Sequence, residues 1–267
     1  MLLFPNAKIN IGLNVVSKRK DGFHNIETVF LPVKGLNDAI EYIASDKTSL
    51  AISGIKIEGN PNDNLVLKAY QLMKDRFDIP PLSIHLHKVI PSGAGLGGGS
   101  SDASFMLNSL ADYFQLPLLQ KDLTEFAAQL GSDCAFFILN KSAIASGRGE
   151  ILEPVLTGAE NKKLLIIKPP FSINTKDAYS GVRVSEPSQR LKDLINLPIG
   201  EWKNEIQNDF ESSTFKWFPE LKEIKQKLYE MGALYASMSG SGSAMFGIFA
   251  TEPEVPKLPE NYFCWIG

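Results

Sequence analysis

Every second residue between Ala7 and Val15 is apolar, so this segment alternates strictly between hydrophobic and polar positions. A period-two pattern predicts a strand with one buried face, and it leaves Lys8 and Asn10 on the polar face. The charged segment 18–24 follows and contains an Asp-Gly pair, which favours a tight turn. The start of the chain is therefore predicted to be a β-hairpin.

The two-residue period of strands and the 3.6-residue period of helices divide the remaining residues into predicted elements. Alternation from Leu82 to Lys88 predicts a strand, and the apolar run Cys134–Leu139 is interpreted as another. Apolar residues at helical spacing predict a helix that starts near Ser100. The remaining predicted strands are 28–33, 39–44, 49–57, 143–145, 164–167, 233–236 and 245–250. The remaining predicted helices are 64–77, 121–130, 176–182, 209–215 and 219–231.

Strands and helices are mixed on both sides of a polar, turn-rich stretch at residues 147–163, which gives an α+β fold class. We place a domain boundary in this stretch. The predicted domains are residues 1–155 and 156–267.

Composition excludes several classes of protein. The chain has 267 residues, of which 44% are hydrophobic and 21% charged, as in globular proteins with a buried core. The 27 Lys and Arg residues against 30 Asp and Glu residues give a net charge of −3. No basic field is present to bind nucleic acid, so we expect a small-molecule substrate.

Export and membrane signals are missing from the sequence. Residues 1–5 lack the basic region of a signal peptide, and no stretch of ~18 apolar residues occurs. We therefore expect no membrane partner and a cytoplasmic location. Cys134 and Cys264 are too few for a disulfide framework, and their spacing fits no zinc site.

A glycine-rich loop between the strand 82–88 and the following helix is the strongest signal for function. It consists of Pro91, Ser92, Gly93, Ala94, Gly95, Leu96, Gly97, Gly98, Gly99, Ser100 and Ser101. Glycine lets backbone N–H groups approach a ligand closely, and the N-terminus of the next helix attracts anions. The serine hydroxyls can reach phosphate or a bound magnesium ion. The alternative is a flexible connection, but five glycines would then cost folding entropy without a purpose.

Two familiar phosphate motifs do not explain this loop. The P-loop pattern requires Lys and then Ser or Thr after its last glycine, whereas Gly99 and Ser100 follow Gly98. The Gly93, Gly95 and Gly98 spacing does match the dinucleotide fingerprint. That fingerprint needs a strand after the helix, whereas a second helix is predicted here, so we discount a dehydrogenase.

The loop resembles the phosphate loop of the GHMP kinases, which include galactokinase, homoserine kinase and mevalonate kinase. Residues 7–10, Ala-Lys-Ile-Asn, resemble the N-terminal strand motif of that family, and Ser239–Ser243 resembles its third, glycine-rich motif. The resemblance implies an N-terminal, ribosomal-protein-like domain with a left-handed crossover and a C-terminal ferredoxin-like domain. It also implies that ATP, with Mg²⁺, and an alcohol bind in a cleft between the domains.

Three further segments are similar to one branch of the family. They are Asp21–His24, Gly131–Asp133 and Gly147–Ile151. The resemblance implies an acceptor that is a cytidine diphosphate sugar-alcohol of non-mevalonate isoprenoid synthesis, phosphorylated on its 2-hydroxyl group. It leaves the metal ligands and the oligomeric state open.

The resemblance also implies that Lys8 and Asp133 form the catalytic pair. Asp133 would accept the proton of the hydroxyl group. Lys8 would orient the Asp133 carboxylate and balance the negative charge that develops during transfer. Taken alone, Lys8 would be interpreted as a solvated charge on a strand edge and Asp133 as a turn or cap residue. The loop and the third motif, in the order found in the family, favour the catalytic roles.

Several flanking residues are candidates for nucleotide contacts. Lys88 can meet an ATP phosphate or the nucleoside, or be a surface lysine. Asn64 aligns with a residue near the adenine, or caps a helix, or does both. Many relatives have Asn where this chain has Asp102, and Asp lacks a side-chain donor for an adenine or ribose contact.

The alcohol substrate has its own candidate residues. Phe23 stands where relatives commonly have Tyr, and with Tyr179 it is predicted to sandwich the cytosine, although Tyr179 can equally pack a short helix. His24 is predicted to read the base edges. Asn10 and Gly240 are further predicted substrate contacts. His85 and His87 lie on one strand face without a third metal ligand, so we interpret them as surface residues.

Three functions compete with this kinase. Another small-molecule kinase of the family, such as a homoserine or mevalonate kinase, is disfavoured by the segment Asp21–His24. A non-catalytic nucleotide-binding protein is disfavoured because both Lys8 and Asp133 are present. A dehydrogenase is discounted above.

Overall fold

A computed structural model describes residues 1–57 and 60–267 of the chain. In these residues the strands are β1 (Leu2–Leu3), β2 (Asn6–Lys18), β3 (His24–Asn37), β4 (Ala39–Ala44), β5 (Ser49–Gly54), β6 (Leu82–Lys88), β7 (Ala143–Ser146), β8 (Ile151–Pro154), β9 (Lys163–Lys168), β10 (Tyr235–Met238), β11 (Met245–Phe249) and β12 (Phe263–Ile266). The α-helices are α1 (Leu65–Lys74), α2 (Gly98–Tyr113), α3 (Gln120–Leu130), α4 (Cys134–Leu139), α5 (Thr175–Ser180), α6 (Leu191–Leu194), α7 (Trp202–Glu205), α8 (Glu211–Trp217) and α9 (Pro219–Glu230).

Two compact units share the chain, and each contains several separate segments. The first unit consists of Met1–Ala7, Val33–Ser92 and Gly97–Asn140. The second unit consists of Lys8–Pro32, Gly93–Leu96 and Lys141–Gly267. The domain boundary at residue 155 stays a prediction.

The first unit is built on a four-stranded sheet with the order β1-β4-β6-β5. The strands β5 and β6 are parallel and are connected through α1, whereas the other pairs are antiparallel. Apolar residues of α1 and α2, including Met73 and Leu107, form one core with Ile40 and Leu86 of the sheet. The left hand of the β5–α1–β6 crossover stays a prediction.

The second unit contains an antiparallel sheet with the order β10-β11-β9-β12. With its four strands numbered in sequence order, this sheet has the order 2-3-1-4, which is the strand order of a ferredoxin-like sheet. The helices α8 and α9 lie between the first and second of these strands in sequence, and Leu221 and Leu228 of α9 belong to the core with Leu165 and Met245. Residues 250–262, all of which are described, contain no second helix.

A further sheet has the order β2-β3-β7-β8. The strand β7 pairs antiparallel with both β3 and β8. The predicted hairpin between β2 and β3 is confirmed, and both strands are longer than expected. The strand β8 lies in the polar, turn-rich stretch 147–163, where no strand was predicted.

Two sequence predictions about burial and element type are also wrong. Cys134–Leu139 is the helix α4 and not a strand, because six apolar residues in a row carry no periodicity that separates the two. In β2, residues 6–13 are all buried, whereas one face was expected to be exposed. The reason is that polar groups of the same unit cover the second face, as described below.

Candidate active site

The helix after the glycine-rich loop begins at Gly98, two residues earlier than predicted. Gly97 precedes it with φ of +72°, a left-handed conformation that favours glycine. A Cβ atom on Gly98 would lie 2.9 Å from Cγ2 of Ile90, so the helix start packs directly on the residues before the loop. In the described structure, the buried Ser101 hydroxyl has no hydrogen-bond partner.

A buried cluster of three charged side chains lies behind this loop in the first unit. The Lys88 ammonium donates to Oδ2 of Asp38 and, at 2.7 Å, to Oδ2 of Asp102. All three side chains are at most 3% exposed. Burial raises the pKa of Asp102 to about 7, with Lys88 acting against the shift and Asp38 adding to it. Burial alone would lower the pKa of Lys88, but the two carboxylates outweigh it and the pKa is raised.

These contacts rule out one of the alternatives predicted for Lys88. The surface alternative is wrong, because the side chain is buried and its charge is balanced by two carboxylates. The roles of Lys88 and Asp102 in nucleotide binding stay predictions.

Two other predicted residues of the first unit lie at helix starts. The Asn64 side chain accepts a hydrogen bond from the backbone N–H of Val66 and caps α1, so the capping alternative is confirmed. Its adenine contact stays a prediction. Asp133 occupies the N-cap position of α4 and is half-buried. Its catalytic role stays a prediction, although the strand predicted beside it is a helix.

Lys8 lies on β2 in the second unit and is only 3% exposed. Its ammonium donates to Oδ1 of Asn10 and lies 4.9 Å from the ring centroid of Phe30. The alternative of a solvated lysine on a strand edge is therefore wrong. A buried lysine needs such partners because an isolated charge is costly to remove from water.

Three sequence motifs meet in the second unit. The backbone N–H of Lys8 donates to the carbonyl of Leu96 in the glycine-rich loop (2.9 Å). The Ser239 hydroxyl donates to the carbonyl of Gly95 (2.8 Å) and accepts from the backbone N–H of Asn10 (3.2 Å). A Cβ atom on Gly95 would lie 1.9 Å from the Ser239 carbonyl oxygen, so only glycine fits there. The strand motif, the loop tip and the third motif thus form one hydrogen-bonded arrangement.

Asn208 was missed by the sequence analysis. Its amide nitrogen donates to the carbonyls of Met238 and Gly240, both at 2.8 Å, and so holds the third motif. Its amide oxygen accepts from the backbone N–H of Phe210, as a capping residue does. The only available signal was its position before a predicted helix, which indicates a cap and not a partner 30 residues away.

The aromatic residues predicted to bind cytosine lie in different surroundings. Phe23 is 53% exposed, and the Arg148 guanidinium lies 5.1 Å from its ring centroid. His24 stacks on Tyr179 with centroids 4.7 Å apart, and Tyr179 also meets Phe210 edge-on. Burial, followed by the charge of Lys18, lowers the pKa of His24, so its ring is neutral at pH 7. The cytosine sandwich stays a prediction, and helix packing accounts for part of the surroundings of Tyr179.

The remaining candidates are surface features. His85 and His87 are exposed, as predicted, and a ring nitrogen of each lies 2.9 Å from the Ser53 hydroxyl.

Within residues 1–57 and 60–267, no three His, Cys, Asp or Glu side chains form a group able to hold a metal ion. None of the helices described for this chain has both the length and the hydropathy needed to cross a bilayer.

Comparison with known proteins places this arrangement in a family. The family described as "GHMP kinases N terminal domain" matches residues 64–141, and the one described as "GHMP kinases C terminal" matches residues 191–262. The chain belongs to the GHMP kinases, a family that uses ATP as phosphate donor.

Individual relatives narrow the comparison within this family. A protein of Bacteroides fragilis named 4-diphosphocytidyl-2-C-methyl-D-erythritol kinase is 49% identical, covering 99% of this chain and 98% of its own length. A protein of the same name from Chlorobium chlorochromatii is 37% identical, covering 96% and 92%. A crystal structure of 4-(cytidine 5'-diphospho)-2C-methyl-D-erythritol kinase has a TM-score of 0.79 at 32% identity, covering 93% of this chain and 90% of that one. A homoserine kinase from Cytophaga hutchinsonii, at 19% identity and a TM-score of 0.67, shares the fold.

Proposed function

We propose that this kinase transfers the γ-phosphoryl group of ATP to the 2-hydroxyl group of 4-diphosphocytidyl-2-C-methyl-D-erythritol. The observation that carries the proposal is the meeting of three motifs in the second unit, at Lys8, Gly95 and Ser239. The acceptor is supported by relatives of that name, which match nearly the whole chain.

The glycine-rich loop is proposed to bind the ATP phosphates through its backbone. Gly97 has a positive φ, and the N-terminus of α2 follows it directly. Unpaired backbone N–H groups and the helix dipole favour anions at such a position. Lys88 is not needed as a phosphate ligand in this proposal, because Asp38 and Asp102 already bind its ammonium.

Magnesium is proposed to accompany ATP. In phosphoryl-transfer sites Mg²⁺ keeps several waters and takes few protein ligands beside the phosphates. The hydroxyls of Ser100 and Ser101 in the first turn of α2 fit such a contribution, since Ser101 Oγ is buried and without a partner in the described structure. When bound, the ion neutralises charge on the transferring phosphoryl group.

The acceptor hydroxyl must lose its proton as its oxygen forms a bond to the γ-phosphorus. The bond between that phosphorus and the β–γ bridging oxygen breaks, and ADP leaves. Asp133 is proposed to take the proton, which an aspartate does effectively only within hydrogen-bond reach of the hydroxyl. Asp133 precedes α4 as its N-cap residue and is half-buried, a position compatible with this role.

Lys8 is proposed to stabilise the negative charge that develops during transfer. Its ammonium is fixed by Asn10 and by the ring of Phe30, so it is held in place before the reaction. A preorganised charge of this kind acts in the transition state and not in ground-state binding. Lys8→Ala should therefore lower turnover more than it weakens ATP binding, and the reverse result would make Lys8 a phosphate anchor.

Phe23 is proposed to stack on the cytosine of the acceptor. Its exposed ring can stack with a base, and Arg148 lies beside the ring. His24 is neutral and held by stacking on Tyr179, so it can exchange a hydrogen bond with the base edge. Replacing the cytosine of the acceptor with uracil should then lower activity, because stacking alone does not distinguish the two bases.

An acceptor panel tests the proposed function. ADP release and the phosphorylated product would be measured with the cytidine diphosphate alcohol, its uridine analogue, free methylerythritol, homoserine and mevalonate. We expect the cytidine diphosphate alcohol to be used best. Equal use of free methylerythritol would refute the cytidine assignment, and preference for homoserine or mevalonate would favour another kinase of the family. No ADP release with any alcohol would favour a non-catalytic nucleotide-binding protein.

Replacing Asp133 tests the mechanism. We expect Asp133→Asn to lower kcat by ~10²–10⁴-fold, the usual loss for a positioned base, while ATP binding persists. The exposed Asp46 offers a matched control, since Asp46→Asn makes the same change at the surface. Wild-type turnover in Asp133→Asn would remove this residue from the mechanism.

A further inference from the structure

Asp38, between β3 and β4, is fully buried and has no part in the mechanism above. Its Oδ1 atom accepts hydrogen bonds from the backbone N–H groups of Val89 (2.6 Å) and Ile90 (2.8 Å). Its Oδ2 atom accepts from the Lys88 ammonium. All three donors therefore belong to consecutive residues that end immediately before Pro91, the first residue of the glycine-rich loop.

Lys88 extends this connection to the other end of the loop. Its ammonium also donates to Oδ2 of Asp102 in the second turn of α2. The two stems touch as well, since a Cβ atom on Gly98 would lie 2.9 Å from Ile90 and 3.2 Å from the Lys88 ammonium. Asp38 thus binds the chain before the loop directly, and Lys88 connects it to the chain after the loop.

The physical effect of Asp38 is to define the direction in which the loop leaves β6. Beyond Lys88 the strand ladder has ended, so the N–H groups of Val89 and Ile90 need other acceptors. Pro91 has no N–H group and restricts the residue before it to extended conformations. Without Asp38, the two N–H groups and the Lys88 ammonium would lose their shared acceptor inside the first unit.

We propose that Asp38 is a positioning residue for ATP, which fixes both stems of the glycine-rich loop so that its backbone N–H groups face the phosphates. This inference rests on the proposal that the loop binds ATP. Because Asp38 acts on the loop in the ground state, its loss should raise the Kd and KM of ATP. Turnover at saturating ATP and the KM of the alcohol should change little.

The test uses Asp38→Asn in the full-length protein. The amide oxygen can still accept from Val89 and Ile90, but the amide nitrogen then faces the Lys88 ammonium and the charge is lost. We expect the Kd of ATP, measured by calorimetric titration, to rise about tenfold, which corresponds to one lost charge-assisted hydrogen bond. We expect kcat at saturating ATP to stay within about twofold of the wild type.

A matched control separates an effect on the ATP-binding loop from a general loss of protein stability. Tyr42→Phe removes a buried hydrogen bond of 2.7 Å to Ser109 in the same unit, away from the loop. It should lower the melting temperature and leave the Kd of ATP unchanged. If Asp38→Asn leaves the Kd of ATP unchanged, or if Tyr42→Phe raises it equally, the proposal is wrong.

Two further outcomes are covered. If Asp38→Asn does not fold, Lys88→Gln tests the same connection from its partner, and an unchanged Kd of ATP in that variant overturns the proposal. If the wild-type protein itself fails to bind ATP, the proposed function falls and this inference falls with it. Normal ATP binding by both wild type and Asp38→Asn removes only the role of Asp38.

Discussion

The two glycine-rich segments of this chain are held by different chemistry. The stems of the loop at residues 91–101 are held by buried ions, with Lys88 between Asp38 and Asp102. The segment Ser239–Ser243 is held by neutral groups, chiefly the Asn208 amide, which donates to two backbone carbonyls. One segment thus depends on charge balance, and the other depends on hydrogen-bond geometry alone.

This difference bears on the proposed phosphate site. A lysine next to a glycine-rich loop suggests a direct phosphate ligand, but the charge of Lys88 is balanced inside the fold by carboxylates. In the proposed site, attraction for phosphate therefore comes from the backbone N–H groups of the loop and the start of α2. Breaking a buried ion pair also costs more than losing one neutral hydrogen bond, since a charge is left without its partner.

The largest effect is expected where the two segments meet, at Gly95. Gly95→Ala would place a Cβ atom 1.9 Å from the Ser239 carbonyl oxygen at a φ of +74°. Strain of this kind costs ~1–3 kcal/mol, so we expect the KM of ATP to rise about 5–150-fold. ATP titration and steady-state kinetics measure the change.

Gly200 provides the control for this substitution. It is exposed, and a Cβ atom there would meet nothing within 4 Å. Gly200→Ala should keep ATP binding and raise stability by ~0.4–1 kcal/mol. If both alanine variants bind ATP normally, the close approach at Gly95 is not required for function.

The next effect, on stability and not on ATP binding, is expected at the neutral support of the third motif. Asn208→Asp replaces an amide donor with a carboxylate that faces the carbonyls of Met238 and Gly240. We expect the free energy of unfolding to fall by ~1–3 kcal/mol, measured by urea denaturation. The exposed Asn196, which also donates to a carbonyl, is the control, and Asn196→Asp should change stability by less than ~0.5 kcal/mol. Equal losses would show that burial of Asn208 contributes nothing.

The smallest effect for a single step of one pH unit is a pH dependence expected at the ionic support. The pKa of Asp102 is raised to about 7 in the native state, so the unfolded chain loses this proton at lower pH than the folded one. Stability from this group is present at low pH and is lost as pH rises toward 7, by at most ~1.4 kcal/mol per pH unit. Asp102→Asn should remove that slope.

Urea midpoints at pH 5, 6, 7 and 8 measure this effect. The wild type should lose stability relative to Asp102→Asn as the pH rises, whereas Tyr42→Phe, which leaves Asp102 in place, should keep the wild-type slope. Parallel pH profiles for wild type and Asp102→Asn would show that Asp102 is already ionised at pH 5.

Local signals in the sequence predicted much of this fold. Residues 39–44 form a strand as expected, and the helix after the loop and the cap at Asn64 follow from spacing and residue type. Short elements such as α6 and α7 were missed, because four residues are too few for a helical period. The run at 134–139 failed for the same lack of periodicity.

The supports of the site depend on contacts that no local pattern reveals. Asp38 lies 50 residues before Lys88, and Asn208 lies 30 residues before Met238. A single Asp before a strand or Asn before a helix predicts a turn or a cap. Lys8 is likewise buried against the Asn10 amide and the Phe30 ring, contacts that the alternation on β2 does not reveal, so exposure was expected instead.

The division of the second unit into separate segments has a consequence during protein synthesis. Leu13, Val15 and Ile26 belong to a core that also contains Met245 and Phe249. The ribosome makes these partners more than two hundred residues after Val15. The early strands therefore lack their final apolar partners until translation is nearly complete. During this interval their exposed hydrophobic side chains can engage chaperones.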